Sequence, residues 1–201
     1  MKIKEMHSLK KSLNILRKTD ALLEGHFVLS SGLHSSKYIQ CAKLLSYPHI
    51  AEKICKSLAR KIKKNFSKFD LILSPAMGGI VIGYEIGRLL KKETIFCERV
   101  NGKFQLRRGF KIKSRSKVLI IEDVITTGKS SLECVKLIKN SKAKLIGFAC
   151  LIDRSSKKTL KIKNKKIISQ IKLDVPTYKK NNLPQSLQNL PITKPGSRFL
   201  K

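Results

Sequence analysis

Apolar residues along this chain fall into two patterns, helical stripes and short unbroken runs. Met6, Leu9, Leu13 and Leu16 recur at three- and four-residue spacing, which predicts an amphipathic first helix with lysines on its outer face. Ile50, Ile54, Leu58 and Ile62, with Ala51, Cys55 and Ala59 alongside, predict a helix that faces a core. Asp70-Leu71-Ile72-Leu73, Thr94 to Cys97, Val118 to Ile121 and Lys144 to Ile152 are short apolar runs of the kind that form strands. A run without polar alternation suits a strand covered on both faces, as in a parallel sheet. Ser74-Pro75-Ala76-Met77-Gly78-Gly79 leads into a small-residue helix ending near Leu90, and Leu132, Val135 and Ile138 mark another helix. Strands alternating with helices predict an α/β fold: a doubly wound, mostly parallel sheet with helices on both faces. Its functional residues are then expected at the carboxyl ends of the strands.

The polar stretches are less telling. His26 to Gln40 reads as two strand-like pieces around a turn at Ser31-Gly32. Glu98 to Gly109 is basic and punctuated by glycine, which predicts a solvated loop. Residues 155–180 are lysine-rich, with Ile162, Ile167, Ile168, Ile171 and Leu173 interspersed, as in irregular edge strands. The tail is broken by prolines, ending in Lys194-Pro195-Gly196-Ser197-Arg198.

Length and composition narrow this picture. A chain of 201 residues fits one domain, or one with a small appendage, and 41% apolar residues argue against disorder. The net charge is +31, which would suit nucleic acid or an anionic substrate. The lysines are spread along the chain and form no stripe, so nucleic-acid binding is not the expected role. Cys41, Cys55, Cys97, Cys134 and Cys150 contain no C-x-x-C pair and sit mostly in apolar stretches, which favours reduced core thiols over disulfides or zinc. The N-terminus lacks an apolar signal core, and no apolar run is long enough to span a bilayer. A cytoplasmic protein with no membrane role is expected.

The chemistry concentrates between Lys117 and Ser130, K-V-L-I-I-E-D-V-I-T-T-G-K-S. Glu122 and Asp123 end the apolar run; Thr126, Thr127, Gly128, Lys129 and Ser130 then open a helix. Unpaired N–H groups and the positive end of the backbone dipole at a helix start bind phosphate. The hydroxyls add donors, and Gly128 permits close approach. Carboxylates would repel a phosphate but accept hydrogen bonds from sugar hydroxyls. The combination fits a ribose 5-phosphate. A Walker A loop is excluded, because the position five residues before Gly128 holds Asp123 where that loop needs glycine.

This stretch resembles the phosphoribosyl-diphosphate (PRPP) motif of type I phosphoribosyltransferases. His26 to Gln40 is similar to the F-x-L-x-S-G-x-x-S-x-x-Y hood segment of the orotate phosphoribosyltransferases, and Leu106-Arg107-Arg108-Gly109-Phe110 and the K-P-G-S-R ending look like one subgroup of them. The resemblance implies a single domain over 1–201, with a small hood built mainly from 1–45 and C-terminal segments. It implies transfer of ribose 5-phosphate from PRPP to orotate, giving orotidine 5′-monophosphate and pyrophosphate in pyrimidine biosynthesis. By the same resemblance Lys103 and Asp123 are the catalytic positions. PRPP would be held by Arg99, Lys103, Glu122, Asp123, Val124, Ile125, Thr126, Thr127, Gly128, Lys129 and Ser130. Thr126 and Arg154 would contact orotate. Residues 98–109 match the family's mobile catalytic loop, which often reaches a neighbouring subunit, so a homodimer is implied. Mg²⁺ is the implied cofactor, carried on the diphosphate and the sugar hydroxyls with no protein ligand assigned. The chain departs from the family where Ser30, Gly78 and Val100 stand in place of common lysines, and Gln105 in place of a common histidine. Another base-specific phosphoribosyltransferase, or a PRPP-sensing nucleic-acid-binding regulator, are the alternatives; no helix-turn-helix extension supports the latter.

Overall fold

A computed structural model describes residues 2–29, 32–66, 68–155, 160–162 and 164–195. The side chains of Met6 and Leu9, the Ser30 and Ser31 positions, and the Gly196-Ser197-Arg198 ending lie outside the described residues. In chain order the elements are α1 Lys2–Lys18, β1 Leu22–Val28, β2 His34–Ile39, α2 Cys41–Leu45, α3 Pro48–Asn65, β3 Leu71–Pro75, α4 Gly78–Leu90 and β4 Glu93–Val100. They continue with β5 Lys103–Leu106, β6 Lys117–Ile125, α5 Lys129–Asn140, β7 Lys144–Asp153, β8 Ile167–Lys172, β9 Thr177–Tyr178, α6 Gln185–Gln188 and β10 Ile192–Thr193.

The chain divides into two compact units, Met1–Tyr47 with Asp174–Lys201, and Pro48–Leu173. The first contains a four-stranded sheet in the order β10-β1-β2-β9, in which β1 and β2 form an antiparallel hairpin. The amphipathic reading of α1 holds at Leu16, which is fully buried. His26 and His34 are buried side by side in this sheet, ring nitrogens 2.7 Å apart.

The second unit is built on a six-stranded sheet, β5-β4-β3-β6-β7-β8. All its neighbouring pairs are parallel except β4–β5. Helices α3 and α4 pack on one face and α5 on the other, the doubly wound arrangement the alternating pattern predicts. The α3 stripe is buried as expected through Ala51, Ile54, Cys55, Leu58, Ala59 and Ile62. Helix α4 lies so close to the sheet that a methyl group at Gly83 would overlap Ser74, and one at Gly87 would overlap Thr94. This explains its small-residue composition. On α5 the inward stripe is Ser131, Cys134 and Ile138, with Leu132 and Val135 flanking it half-buried.

Two expectations are corrected. Residues 98–109 are not a plain solvated loop: β4 continues to Val100, turns at Asn101-Gly102 and returns as β5. Asn101 (φ 48°) and Gly102 (φ 77°) both occupy the left-handed region that tight hairpin turns demand. The hairpin is fastened by buried Phe104 and by Arg108, whose Nε and Nη2 donate to Glu98 at 3.1 and 2.9 Å. Second, Glu122 and Asp123 do not end their strand. β6 runs on to Ile125 because β7 keeps pairing with it, Glu122 opposite Cys150 and Ile125 opposite Asp153.

Candidate active site

The carboxyl ends of β3, β6 and β7 meet in the middle of the larger sheet, and the candidate residues gather there. Because β6 stays extended through Glu122 and Asp123, their side chains leave the strand on opposite faces. Glu122 faces α5, is buried, and accepts a hydrogen bond from the Ser131 hydroxyl. Asp123 faces the start of α4. Its carboxylate so fills that space that a Cβ at Gly78 would sit 2.5 Å from Asp123 Oδ2. Its Oδ1 accepts the Val124 N–H at 2.9 Å. A lysine could not occupy position 78 without displacing this acid.

Burial dominates the electrostatics of both acids. It pushes the Glu122 carboxyl up to about 7, with the Asp123 charge adding to the rise and the Ser131 hydrogen bond opposing it. Asp123 is also raised, again by burial, against the pull of backbone N–H groups. Two carboxyls whose charged forms are both disfavoured by burial stand to gain from hydroxyl donors or a nearby positive charge.

After β6, Thr126 and Thr127 form the bend into α5, and Gly128 caps the helix with φ 73° and no side-chain cap. A Cβ there would lie 2.7 Å from Ile162, so glycine is required on both conformational and steric grounds. The bend is held from outside: Lys161 N–H donates to the Thr127 carbonyl at 2.9 Å, and Arg154 N–H to the Ile125 carbonyl at 2.8 Å. Lys129 N–H donates to Thr127 Oγ1 at 3.4 Å, and with Gly128 supplying no side-chain acceptor the other N–H groups of the first turn of α5 can serve an anion. The parallel turn after β3 starts α4 in the same way, Met77 supplying no side-chain cap and Ala76 N–H donating to the Cys97 carbonyl at 2.8 Å.

A family model described as the phosphoribosyl transferase domain matches residues 45–185. The chain belongs to the phosphoribosyltransferase family. It is 44% identical over 190 residues to an orotate phosphoribosyltransferase of Caldicellulosiruptor saccharolyticus, covering 94% of this chain and 97% of that protein. The fold is also that of an orotate phosphoribosyltransferase from Aeropyrum pernix, with a TM-score of 0.68 at 24% identity over 80% of this chain and 92% of that one. A Leishmania donovani UMP synthase matches with a TM-score of 0.68 at 22% identity over 81% of this chain; the match spans only 36% of that longer chain. The architecture is therefore the type I phosphoribosyltransferase fold.

Within this family frame, the structure brings Glu122, Asp123, Val124, Ile125, Thr126, Thr127, Gly128, Lys129, Ser130 and Arg154 to one end of β6 and β7. Thr126 and Lys129 are exposed, Thr127 and Ser130 half-buried, and Ile125 belongs to the core. Arg99 and Lys103 stand apart on the β4–β5 hairpin. Arg99 is ion-paired with Glu133 of α5 at 2.8 Å, lies 4.1 Å over the Phe104 ring, and donates to the Gly102 carbonyl. Lys103 is exposed at the start of β5. Sequence reasoning missed Ser131 and Glu133, the partners of two candidate residues. The signal for Ser131 is its place three and seven residues before Cys134 and Ile138, on the inward stripe of α5. Among the described residues no group of three or more His, Cys, Asp or Glu side chains could hold a metal, and no helix is long and apolar enough to cross a membrane.

Proposed function

We propose that this chain transfers ribose 5-phosphate from PRPP to orotate, releasing pyrophosphate and forming orotidine 5′-monophosphate in pyrimidine biosynthesis. The observation that carries this reading is the 44% identity, over nearly all of both chains, to an orotate phosphoribosyltransferase. The geometry supplies the chemistry. Breaking the bond at the anomeric carbon leaves a cation-like sugar and an anionic leaving group, so the site must set negative charge by the ribose and positive charge by the pyrophosphate. Asp123, on the α4 side of β6, and Glu122, on the α5 side, accept the ribose hydroxyls. The bend Thr126–Ser130 and the start of α5 hold the 5-phosphate, with Val124 and Ile125 fixing its base. Arg154 offers a planar guanidinium to the orotate carboxylate, and Thr126 a hydroxyl to the base. Arg99 and Lys103 come to the pyrophosphate with the hairpin, which requires Arg99 to leave Glu133.

Mg²⁺ belongs to the same proposal. With the two acids turned to opposite faces, they are not placed to chelate an ion between them; Mg²⁺ bound with the diphosphate would supply charge neutralisation on the leaving group beside Arg99 and Lys103. A homodimer and a single functional domain made of both compact units are further parts of it, and sedimentation of the intact chain tests the first. The deciding experiment is release of pyrophosphate from PRPP with orotate, uracil, adenine or hypoxanthine as acceptor. Release with orotate alone is expected. Release with another base and none with orotate would reassign the substrate, and no release with any base would remove the reading.

A further inference from the structure

We propose that Ser131 is the positioning residue for Glu122: by donating its hydroxyl to the buried acid, it fixes that side chain as a carboxylate at the end of β6. This rests on the proposed reading of Glu122 as a ribose-hydroxyl acceptor. Glu122 is only 7% exposed and Ser131 fully buried, so the contact is shielded from solvent competition. Ser131 uses one acceptor site of Oε1 and leaves both sites of Oε2 to meet sugar hydroxyls. Thr126, Thr127 and Ser130, which precede Ser131, lie on the exposed or half-buried side, whereas Ser131 opens the inward stripe of α5. Its hydroxyl therefore serves the acid and not a phosphate.

The surroundings leave few other groups able to do this. From α5, Cys134 lies one turn beyond Ser131, its thiol 3.4 Å from that of Cys97 on β4. From β7, Cys150 is the register partner of Glu122, and Asp153 lies at the end of the same strand with Oδ1 accepting the Ser155 N–H. On β6 itself, Asp123 adds a repelling charge from the other face. Glu133 and Arg99 are engaged with each other. The facing residues of β3 are Leu71 and Leu73, which do not titrate. Burial and Asp123 both push Glu122 toward its neutral form, and the Ser131 bond opposes them. A neutral Glu122 would turn one acceptor site into a donor and lose the negative charge that favours a cation-like sugar.

The test is the pH dependence of kcat/KM for Ser131→Ala and Ser131→Thr in the full chain, read beside a ¹³C titration of glutamate carboxyls with the Glu122 resonance assigned from Glu122→Gln. In Ser131→Ala the acid limb of the profile and the Glu122 titration should both move up by about one pH unit. Activity would be about fivefold lower at pH 7 and within about twofold of the unsubstituted protein at pH 9. Ser131→Thr keeps the hydroxyl and should restore both; if its extra methyl unfolds the protein, as thermal melting would show, the alanine profile decides alone. Equal loss at every pH with an unmoved carboxyl titration would overturn the proposal and leave Ser131 a packing residue. If the unsubstituted protein releases no pyrophosphate with orotate, the functional reading fails separately, and the carboxyl titration still decides whether Ser131 governs Glu122.

Discussion

Arg99 on β4 and Glu133 on α5 meet across 2.8 Å, although they are thirty-four positions apart and only Glu133 lies in a run that sequence patterning marks as structural. The pair is partly solvated, with side chains 39% and 21% exposed, so its strength belongs to the surface range of about 0.2–1 kcal/mol. If Arg99 is to meet pyrophosphate, Glu133 competes for it. Glu133→Gln should then lower the KM for PRPP by a factor of about 1.4 to 5, the equivalent of that range, with kcat unchanged. The gap should narrow in high salt, which screens the pair in the unsubstituted protein. A KM that rises in Glu133→Gln would show that Glu133 instead presents Arg99 to the ligand.

Gly78 and Asp123 give a second expectation. In a helix interior alanine gains about 0.5–1 kcal/mol over glycine, and at the first position of α4 that gain is an upper bound. Here its methyl would press within 2.5 Å of the Asp123 carboxylate. Gly78→Ala should therefore fail to raise the melting temperature while cutting kcat/KM for PRPP by at least about tenfold, since small displacements of a reacting-site group are costly. A variant that is more stable and fully active would show that Asp123 is free to shift without consequence.

These pairings mark where the sequence stopped being readable. The layers, the strand-helix alternation and the buried stripe of α3 follow from apolar spacing, because burial on a sheet or helix imposes a period. The end of β6 did not. Acids look like the end of an apolar strand until β7 is known to pair on to Asp153, and only an established strand tells that Glu122 and Asp123 face opposite ways. The β4–β5 hairpin had a local signal in Asn101-Gly102, hidden by the basic residues around it. Glu133 owes its role to a contact with the distant strand β4, which no periodicity encodes; the stripe of α5 marks Ser131 as inward-facing but not the acid it bonds.

Gly128 lets the chain bend from β6 into α5, and its cost can be measured. With φ 73° and Ile162 carbons 2.7 Å from where a Cβ would lie, Gly128→Ala should lose about 2–5 kcal/mol from left-handed backbone strain and overpacking together. Ile162→Val removes the Cδ1 atom at that contact and alone should cost about 0.5–1.5 kcal/mol. In urea unfolding, the double variant should be more stable than the sum of the two losses. Strict additivity would show that the contact with Cδ1 adds nothing to the penalty.

The buried acid at the end of β6 should set stability against activity as pH changes. Glu122 has an ordinary value of 4.5 and is raised to about 7 in the folded chain. Between these values the folded state holds more protons than the unfolded one, so this group's stabilising contribution is complete below about 4.5 and is lost as pH rises through about 7. The full span corresponds to roughly 3 kcal/mol. Glu122→Gln has no such proton to lose. Relative to the unsubstituted protein it should be of similar stability at pH 4.5 and more stable at pH 8.5, by up to that amount, in urea unfolding at the two pH values. Its turnover should fall at pH 8.5, where the unsubstituted acid is charged, and stay close to that of the unsubstituted protein at pH 4.5, where both side chains are neutral; on the proposed role, the charge that destabilises the fold is the charge the sugar requires. A stability difference that does not grow with pH would mean that Glu122 is already ionised at low pH, and that burial does not govern it.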